Sequence, residues 1–213
     1  MENDLSHLRK EYSQRTLSKQ VVYKDPLEQL RLWMDEAIRS ETNEPNAMTL
    51  ATADSEGRPS SRIVLLKDLN DQGLVFYTNY NSRKGMQIEA NPLGSMVFFW
   101  PELERQVRAE GILEKTDQEN SDEYFQSRPE LSRLAAWASD QSSAIPNRSY
   151  LEERMKSISE QFKDQFIPRP PQWGGYILKP RRFEFWQGRR NRLHDRIEYY
   201  LYDEGWTIQR LAP

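Results

Sequence analysis

Arg192, His194 and Arg196 stand at alternate positions in the segment Arg192-Leu193-His194-Asp195-Arg196, two guanidiniums around an imidazole. On a β-strand such positions share one face at roughly 6.5–7 Å spacing. Two positive charges so placed repel by about 2–2.5 kcal/mol at an effective dielectric of about 20. An anionic ligand is one reason for such an array; a solvated strand balanced by Asp195 and Glu198 is the other. A second group of cations lies earlier. Arg62 and Lys67 bound the apolar run Ile63-Val64-Leu65-Leu66, and Arg83-Lys84 follows Ser82 at a helix start. Free N–H groups at a helix amino terminus, joined by two cations, make a phosphate cradle. Ordinary surface charge is the bland reading of each of these residues. Arg62 and Lys67 are five apart, so an undistorted strand sends them to opposite faces; they serve different ligand groups, or a bulge or strand end intervenes.

A third group is Tyr124, Arg128-Pro129 and Ser132, a phenol, a guanidinium and a hydroxyl around a helix junction. Charge-assisted bonds from such groups can hold a second phosphate; a packed Tyr124 and a solvated Arg128 explain them equally well. Gln106 inside a strand and Gln141-Ser142 after a helix offer polar groups to a heterocycle edge or a phosphate, although turn or cap duty also accounts for the pair.

Other chemistries lack their residues. Two histidines, His7 and His194, without any cysteine give no zinc constellation, and no acidic cluster has calcium-loop spacing, so no metal site is expected. There is no G-x-S-x-G elbow, no P-loop and no G-x-G-x-x-G, so side chains must hold most of any bound phosphate. The balance of 30 Lys+Arg against 33 Asp+Glu gives a net charge of -3, which removes any global attraction to nucleic acid or an anionic membrane. Zero cysteines exclude disulfides and thiolate catalysis and fit a reducing cytoplasm, where the protein is expected. No apolar run approaches the roughly 20 residues of a spanning helix. Aromatics at 11%, with 6 Trp and 10 Tyr, predict an aromatic core or stacking surfaces for a planar ligand.

The elements that must position these groups are legible in outline. Residues 1–22 are polar and read as a mobile arm, leaving 23–213 as a single domain. Asp25 caps, Pro26 starts and Glu28 completes the box of a helix ending near Ser40, with an apolar stripe of Leu27, Leu30, Trp33, Met34, Ala37 and Ile38. The runs Met48–Ala53, Ser60–Lys67 and Leu74–Asn79, separated by turn clusters, read as an antiparallel meander. A short helix from Ser82 to Ala90 precedes strands at Ser95–Trp100 and Arg105–Glu114. Helices follow near 117–127, 130–139 and 149–165. Strands resume at Tyr176–Leu178, Arg182–Trp186, Arg192–Tyr202 and Trp206–Arg210. About nine short strands with peripheral helices favour a small antiparallel barrel, mainly β (α+β), over a doubly wound sheet.

Taken together, Arg62-Ile-Val-Leu-Leu-Lys67, Phe76-Tyr77-Thr78-Asn79, Ser82-Arg83-Lys84, Leu103-Glu104-Arg105-Gln106, Tyr124-x-x-x-Arg128-Pro129, Phe185-Trp186-Gln187-Gly188 and Arg192-Leu193-His194-Asp195-Arg196 closely resemble the pyridoxine (pyridoxamine) 5'-phosphate oxidase family. Seven motifs in the same order, from about residue 8 to the terminal Arg210-Leu211-Ala212-Pro213, carry that resemblance. It implies a split β-barrel of the FMN-binding type, a homodimer with FMN at the subunit interface, and oxidation of pyridoxine or pyridoxamine 5'-phosphate to pyridoxal 5'-phosphate. In that reaction a hydride leaves C4' for flavin N5, and oxygen takes the electrons as hydrogen peroxide. The implied cofactor set is Arg62, Ile63, Val64, Leu65, Leu66, Lys67, Tyr77, Thr78, Arg83, Lys84, Gln106, Gln141, Ser142, Trp186 and Arg196. The implied substrate set is Lys67, Tyr124, Arg128 and Ser132 at the phosphate, with Arg192, Leu193 and His194 at the pyridine ring and Arg9, Lys10, Glu11 and Tyr12 as a lid. Arg192 and His194 are the expected catalytic pair, and flanking Arg192 and Arg196 are expected to keep His194 neutral. The basic turn Arg189-Arg190-Asn191 has no place in the family pattern. Readings from other classes are a non-catalytic split-barrel carrier of FMN, haem or pyridoxal phosphate, a nicotinamide-dependent flavin reductase, and a nucleic-acid-binding barrel.

Overall fold

Asp25 opens the first helix, α1 (Pro26–Arg39), by accepting the Leu27 N–H at 2.9 Å, and Pro26 at the first position costs no hydrogen bond. A computed structural model describes residues 11–13 and 15–213 of the chain. Leu27, Leu30, Trp33, Met34 and Ala37 turn inward from α1 as their spacing predicts, whereas Ile38 is 57% exposed, past the end of the stripe.

The strands are β1 (Ala47–Ala53), β2 (Pro59–Leu65), β3 (Asp68–Asn70), β4 (Gly73–Asn79), β5 (Leu93–Trp100), β6 (Arg105–Lys115), β7 (Trp173–Gln187), β8 (Asp195–Tyr202) and β9 (Gly205–Leu211). They pair in the order β2-β1-β5-β6-β7-β4-β3, with β8 on β7 and β9 on β8. The remaining helices are α2 (Arg83–Ala90), α3 (Gln118–Ser127), α4 (Glu130–Ala138) and α5 (Arg148–Gln161). Side-chain caps from Ser82, Asp117 and Asn147 start α2, α3 and α5.

Three expectations are corrected. The first three strands do not form a meander: β1 and β2 are neighbours, but β4 pairs with β3 and with β7, Leu74 facing Leu178 and Asn79 facing Trp173. Second, residues 173–187 form one 15-residue strand, not two. Pro180, which has no N–H to donate, sits between the last residue paired to β4, Leu178, and the first paired to β8, Arg182. Third, β8 begins at Asp195; Arg190–Arg192 form a single 3₁₀ turn in which Asn191 and Arg192 take left-handed φ values of 56° and 60°. Arg192 and His194 therefore do not alternate along a strand face.

The chain divides into two compact units. One comprises Thr49–Ser95 and Gly111–Lys179. Its helical side packs around buried Phe125, Leu134, Ile167 and Trp173, with Tyr77 and Tyr124 against them. The other comprises the segment ending at Met48, Met96–Glu110 and Pro180–Pro213. Its core is a run of rings: Phe185 meets Trp33 edge-on at 5.2 Å, Tyr199 at 5.5 Å and Phe183 at 5.9 Å. Each such ring contributes roughly 1.5–3 kcal/mol through burial.

Candidate active site

In the unit of Thr49–Ser95 and Gly111–Lys179, β2 ends at Leu65, two residues short of Lys67, and Arg62 and Lys67 border one cavity of about 520 Å³. A strand end thus resolves the five-residue spacing. Ile63, Val64 and Leu65 line the same cavity, whereas Leu66 turns into the core at 7% exposure.

The helix start gathers a buried cation among neutral groups. Ser82 caps α2 by accepting the Gly85 N–H, and Lys84, 9% exposed, extends its ammonium to Thr78 Oγ1 and Gln141 Oε1, each at 3.0 Å, and to Ser82 Oγ at 3.3 Å. Every one of these partners is neutral. Burial, with Arg62 adding to it, depresses the Lys84 pKa to about 8. Arg62 likewise donates only to neutral groups: Thr52 Oγ1 and Ser60 Oγ, each at 2.6 Å, Leu50 O at 3.3 Å and Gln87 Oε1 at 3.3 Å. Its pKa too is lowered, by burial first and then by Arg83. Two part-buried cations held only by dipoles are stabilised when an anion enters. Arg83 itself is exposed, and Ser142, at φ 73°, is exposed beside Gln141.

The same cavity continues to the α3–α4 junction, where Tyr124, Arg128, Pro129 and Ser132 line it. Tyr77 and Tyr124 stack at 3.9 Å, Tyr77 also lies 5.5 Å from the Trp173 ring, and the Arg128 guanidinium covers Trp173 at 4.6 Å. Arg128 Nη1 is buried with no hydrogen-bond partner, an orphaned donor beside the cavity-lining Tyr124 and Ser132. Burial, followed by nearby Asp68, Tyr124 and other acidic groups, pushes the Tyr77 hydroxyl up to about 12, so it serves as a donor throughout the neutral range. Trp173 was missed in the sequence. Its only signal was a large aromatic just before Gly174-Gly175.

The other unit carries the remaining predicted residues. The rings of Tyr12, Trp186 and His194 form a cluster: Trp186 to His194 is 4.7 Å, Tyr12 to Trp186 5.6 Å and Tyr12 to His194 5.9 Å. Gly188 permits it, because a Cβ there would stand 2.7 Å from the Tyr12 ring. The segment after Tyr12 is held by two carboxylates, Glu104 accepting the Ser13 N–H at 2.8 Å and Asp195 the Leu17 N–H at 3.0 Å. Glu11, Arg192 and Leu193 are exposed, and Gln106 is half-buried on β6. Arg196 forms a bidentate pair with Glu184. Arg9 and Lys10 lie outside the described residues.

His194 Nδ1 accepts the Arg189 backbone N–H at 3.1 Å, so the neutral ring carries its proton on Nε2. Burial, and after it the Arg192 charge, holds its pKa below the ordinary value of 6.5. Arg196, expected to share in this, is neutralised by Glu184 instead. An NMR titration of the substrate-free protein should give a His194 midpoint below 6.5, with the ring neutral at pH 7; a midpoint above 7 would refute the assignment. Because the unfolded chain takes this proton first, the same group removes stability as pH falls through that window.

No helix among the described residues is long and apolar enough to cross a membrane. The comparison of folds sets the class. PhzG from Burkholderia lata 383, solved with tetrahydrophenazine-1-carboxylic acid, superposes with TM-score 0.89 at 29% identity over 94% of this chain and 100% of its own. A pyridoxamine 5'-phosphate oxidase-related, FMN binding protein from Nostoc punctiforme PCC 73102 shares the fold with TM-score 0.70 at 20% identity, covering 89% of this chain and 98% of its own. The protein is a split barrel of the FMN-binding type, mainly β with peripheral helices. Residues 34–162 match the family described as pyridoxamine 5'-phosphate oxidase, and residues 173–213 the pyridoxine 5'-phosphate oxidase C-terminal dimerisation region, which supports a homodimer. A pyridoxine/pyridoxamine 5'-phosphate oxidase of Neisseria meningitidis serogroup C (strain 053442) is 53% identical over 99% of this chain and 100% of its own length, and one of Cyanothece sp. (strain PCC 7425 / ATCC 29141) is 51% identical over 98% of each. The chain belongs to the pyridoxine/pyridoxamine 5'-phosphate oxidase family of FMN-dependent oxidoreductases.

Proposed function

We propose that this protein oxidises pyridoxine 5'-phosphate or pyridoxamine 5'-phosphate to pyridoxal 5'-phosphate, with FMN as cofactor and oxygen as final acceptor, yielding hydrogen peroxide, as a cytoplasmic homodimer with FMN at the subunit interface. The carrying observation is one cavity with two part-buried cations bonded only to neutral groups, Arg62 and Lys84, and an orphaned Arg128 donor. These residues fit two phosphates. Arg62, Lys84, Thr78 and Gln141 would hold that of FMN, while Lys67, Tyr124, Arg128 and Ser132 would hold that of the substrate.

Bound FMN supplies the two-electron acceptor for the C4' hydride and the route by which the electron pair reaches oxygen. This chain's residues position and protonate. Arg192 and His194 would hold and orient the pyridine ring of the substrate, which is the proximity contribution to rate. With Nδ1 already accepting the Arg189 N–H, His194 presents an Nε2–H as a donor; the hydroxyl or amine proton of the substrate accordingly passes to water. Tyr12, packed on Trp186 and His194, closes that side against solvent.

The test is the absorption spectrum of purified protein, followed by anaerobic pyridoxine 5'-phosphate. Bleaching of the flavin bands, and their return with stoichiometric peroxide on admitting air, is expected. A flavin that bleaches with NADH but not with pyridoxine 5'-phosphate would replace this reading by a flavin reductase.

A further inference from the structure

On β7, Glu184 is only 4% exposed and grips Arg196 with both oxygens, Oε1 accepting from Nε at 2.8 Å and Oε2 from Nη2 at 2.9 Å. Oε2 also receives Arg108 Nη1 at 3.2 Å. Directly across the β7–β8 ladder stands Glu198, equally buried at 4%. Like charges facing each other on adjacent strands repel, and here arginines interleave them. Arg182 Nε donates to Glu198 at 2.6 Å, and Gln209 donates to the same carboxylate. Arg108 joins Glu184 to Glu110, and Arg182 reaches Glu110 at 3.4 Å. Three arginines and three glutamates thus form a neutral ladder whose end is Arg196, paired in register with Trp186.

We propose that Glu184 is a positioning residue for the cofactor, acting through Arg196. Its fork-on-fork contact fixes the plane of the guanidinium, and Ala212 O takes Arg196 Nη1 at 2.7 Å. A guanidinium has five N–H donors, so with three engaged two remain, aimed by the Glu184 contact rather than free to rotate. The burial of Glu184 excludes the competing geometries that a solvent-exposed partner would allow. Glu198 shares the sheet, the burial and the charge, yet bonds to Arg182 and Gln209. This inference rests on the reading above in which Arg196 contacts FMN.

The experiment compares Glu184→Gln with Glu198→Gln and Arg196→Lys, reading FMN dissociation constants by flavin fluorescence on the holoprotein, melting temperatures of the cofactor-free forms, and kcat at saturating FMN. Both Gln variants should lower the melting temperature alike. Glu184→Gln should weaken FMN by about tenfold, the loss of an aimed charge-assisted pair, while Glu198→Gln changes it by less than about twofold. Adding Arg196→Lys to Glu184→Gln should cost little more, since both act through one contact. If Glu198→Gln loosens FMN as much as Glu184→Gln, the effect belongs to sheet stability and the inference is overturned. It is also overturned if Glu184→Gln leaves FMN affinity unchanged while Arg196→Lys weakens it. Unchanged affinity in Arg196→Lys would instead remove the contact between Arg196 and FMN, and the inference with it.

Discussion

Lys84→Met is expected to purify nearly colourless, with FMN affinity reduced by about ten- to a hundredfold, because one charge-assisted phosphate contact contributes roughly 1.5–3 kcal/mol. The cofactor-free variant should melt no lower than the parent. The ammonium is 9% exposed and bonded only to Thr78, Ser82 and Gln141, so without an anion its burial is a cost that an isosteric thioether avoids. Raised or equal stability together with lost cofactor distinguishes a binding role from a structural one. The pH dependence follows from the pKa of about 8, depressed from the ordinary 10.5. Below about 8 the lysine is charged whether the protein is folded or unfolded. Between about 8 and 10.5 the unfolded chain keeps a proton that the folded chain has released, so the cofactor-free protein gains stability from this group as pH rises across that window. A bound phosphate restores the proton. FMN affinity should therefore decline above pH 8, by up to about tenfold per unit, in titrations at pH 7, 8 and 9. A flat profile, or a Lys84→Met protein as yellow as the parent, would exclude Lys84 from the phosphate site.

Local signals carried well where one residue sets a local outcome. Asp25 and Ser82, read as caps, each accept a backbone N–H at the helix start they precede, and the helices expected near 117–127 and 149–165 lie within a few residues of those spans. Sequence order misled where pairing is non-local. Strand β4 reads as the third member of a meander because it follows β2, yet its ladder is to residues 173–178, about a hundred positions away. The stack of Tyr77, Tyr124 and Trp173 is illegible for the same reason, being assembled from a strand, a helix and the start of another strand. The alternation of Arg192, His194 and Arg196 rests on a premise that the structure does not keep. Period-two spacing suggests a strand, but Asn191 tolerates left-handed φ and ends regular structure before Asp195. The cations at Arg62 and Lys84 were visible as types. The feature that sets them apart, partners that are all neutral, exists only in three dimensions.

Arg192→Ala should keep its yellow FMN while losing about a hundredfold or more in kcat/KM, the scale of a reactant displaced by about 1 Å. Three observations combine. Arg192 is exposed, its guanidinium makes no hydrogen bond or ion pair to the described residues, and it does not line the cavity around Lys84, so cofactor retention should not depend on it. Its charge nonetheless depresses the pKa of His194, placing the two groups within electrostatic reach. Its backbone sits at φ 60°, a conformation that costs a residue with a Cβ roughly 1 kcal/mol and glycine almost nothing. Arg192→Gly should therefore melt at or above the temperature of Arg192→Ala while being equally inactive, which separates the guanidinium from the fold. Arg192→Lys restores charge without the planar fork and should recover only part of the rate, mainly through kcat if the ring must be aimed rather than merely attracted. Substrate-free His194 should titrate higher in Arg192→Ala than in the parent, because the like charge that opposes its protonation is gone. Full activity in Arg192→Ala, or loss of flavin with it, would move this residue out of the substrate's orientation and into another role.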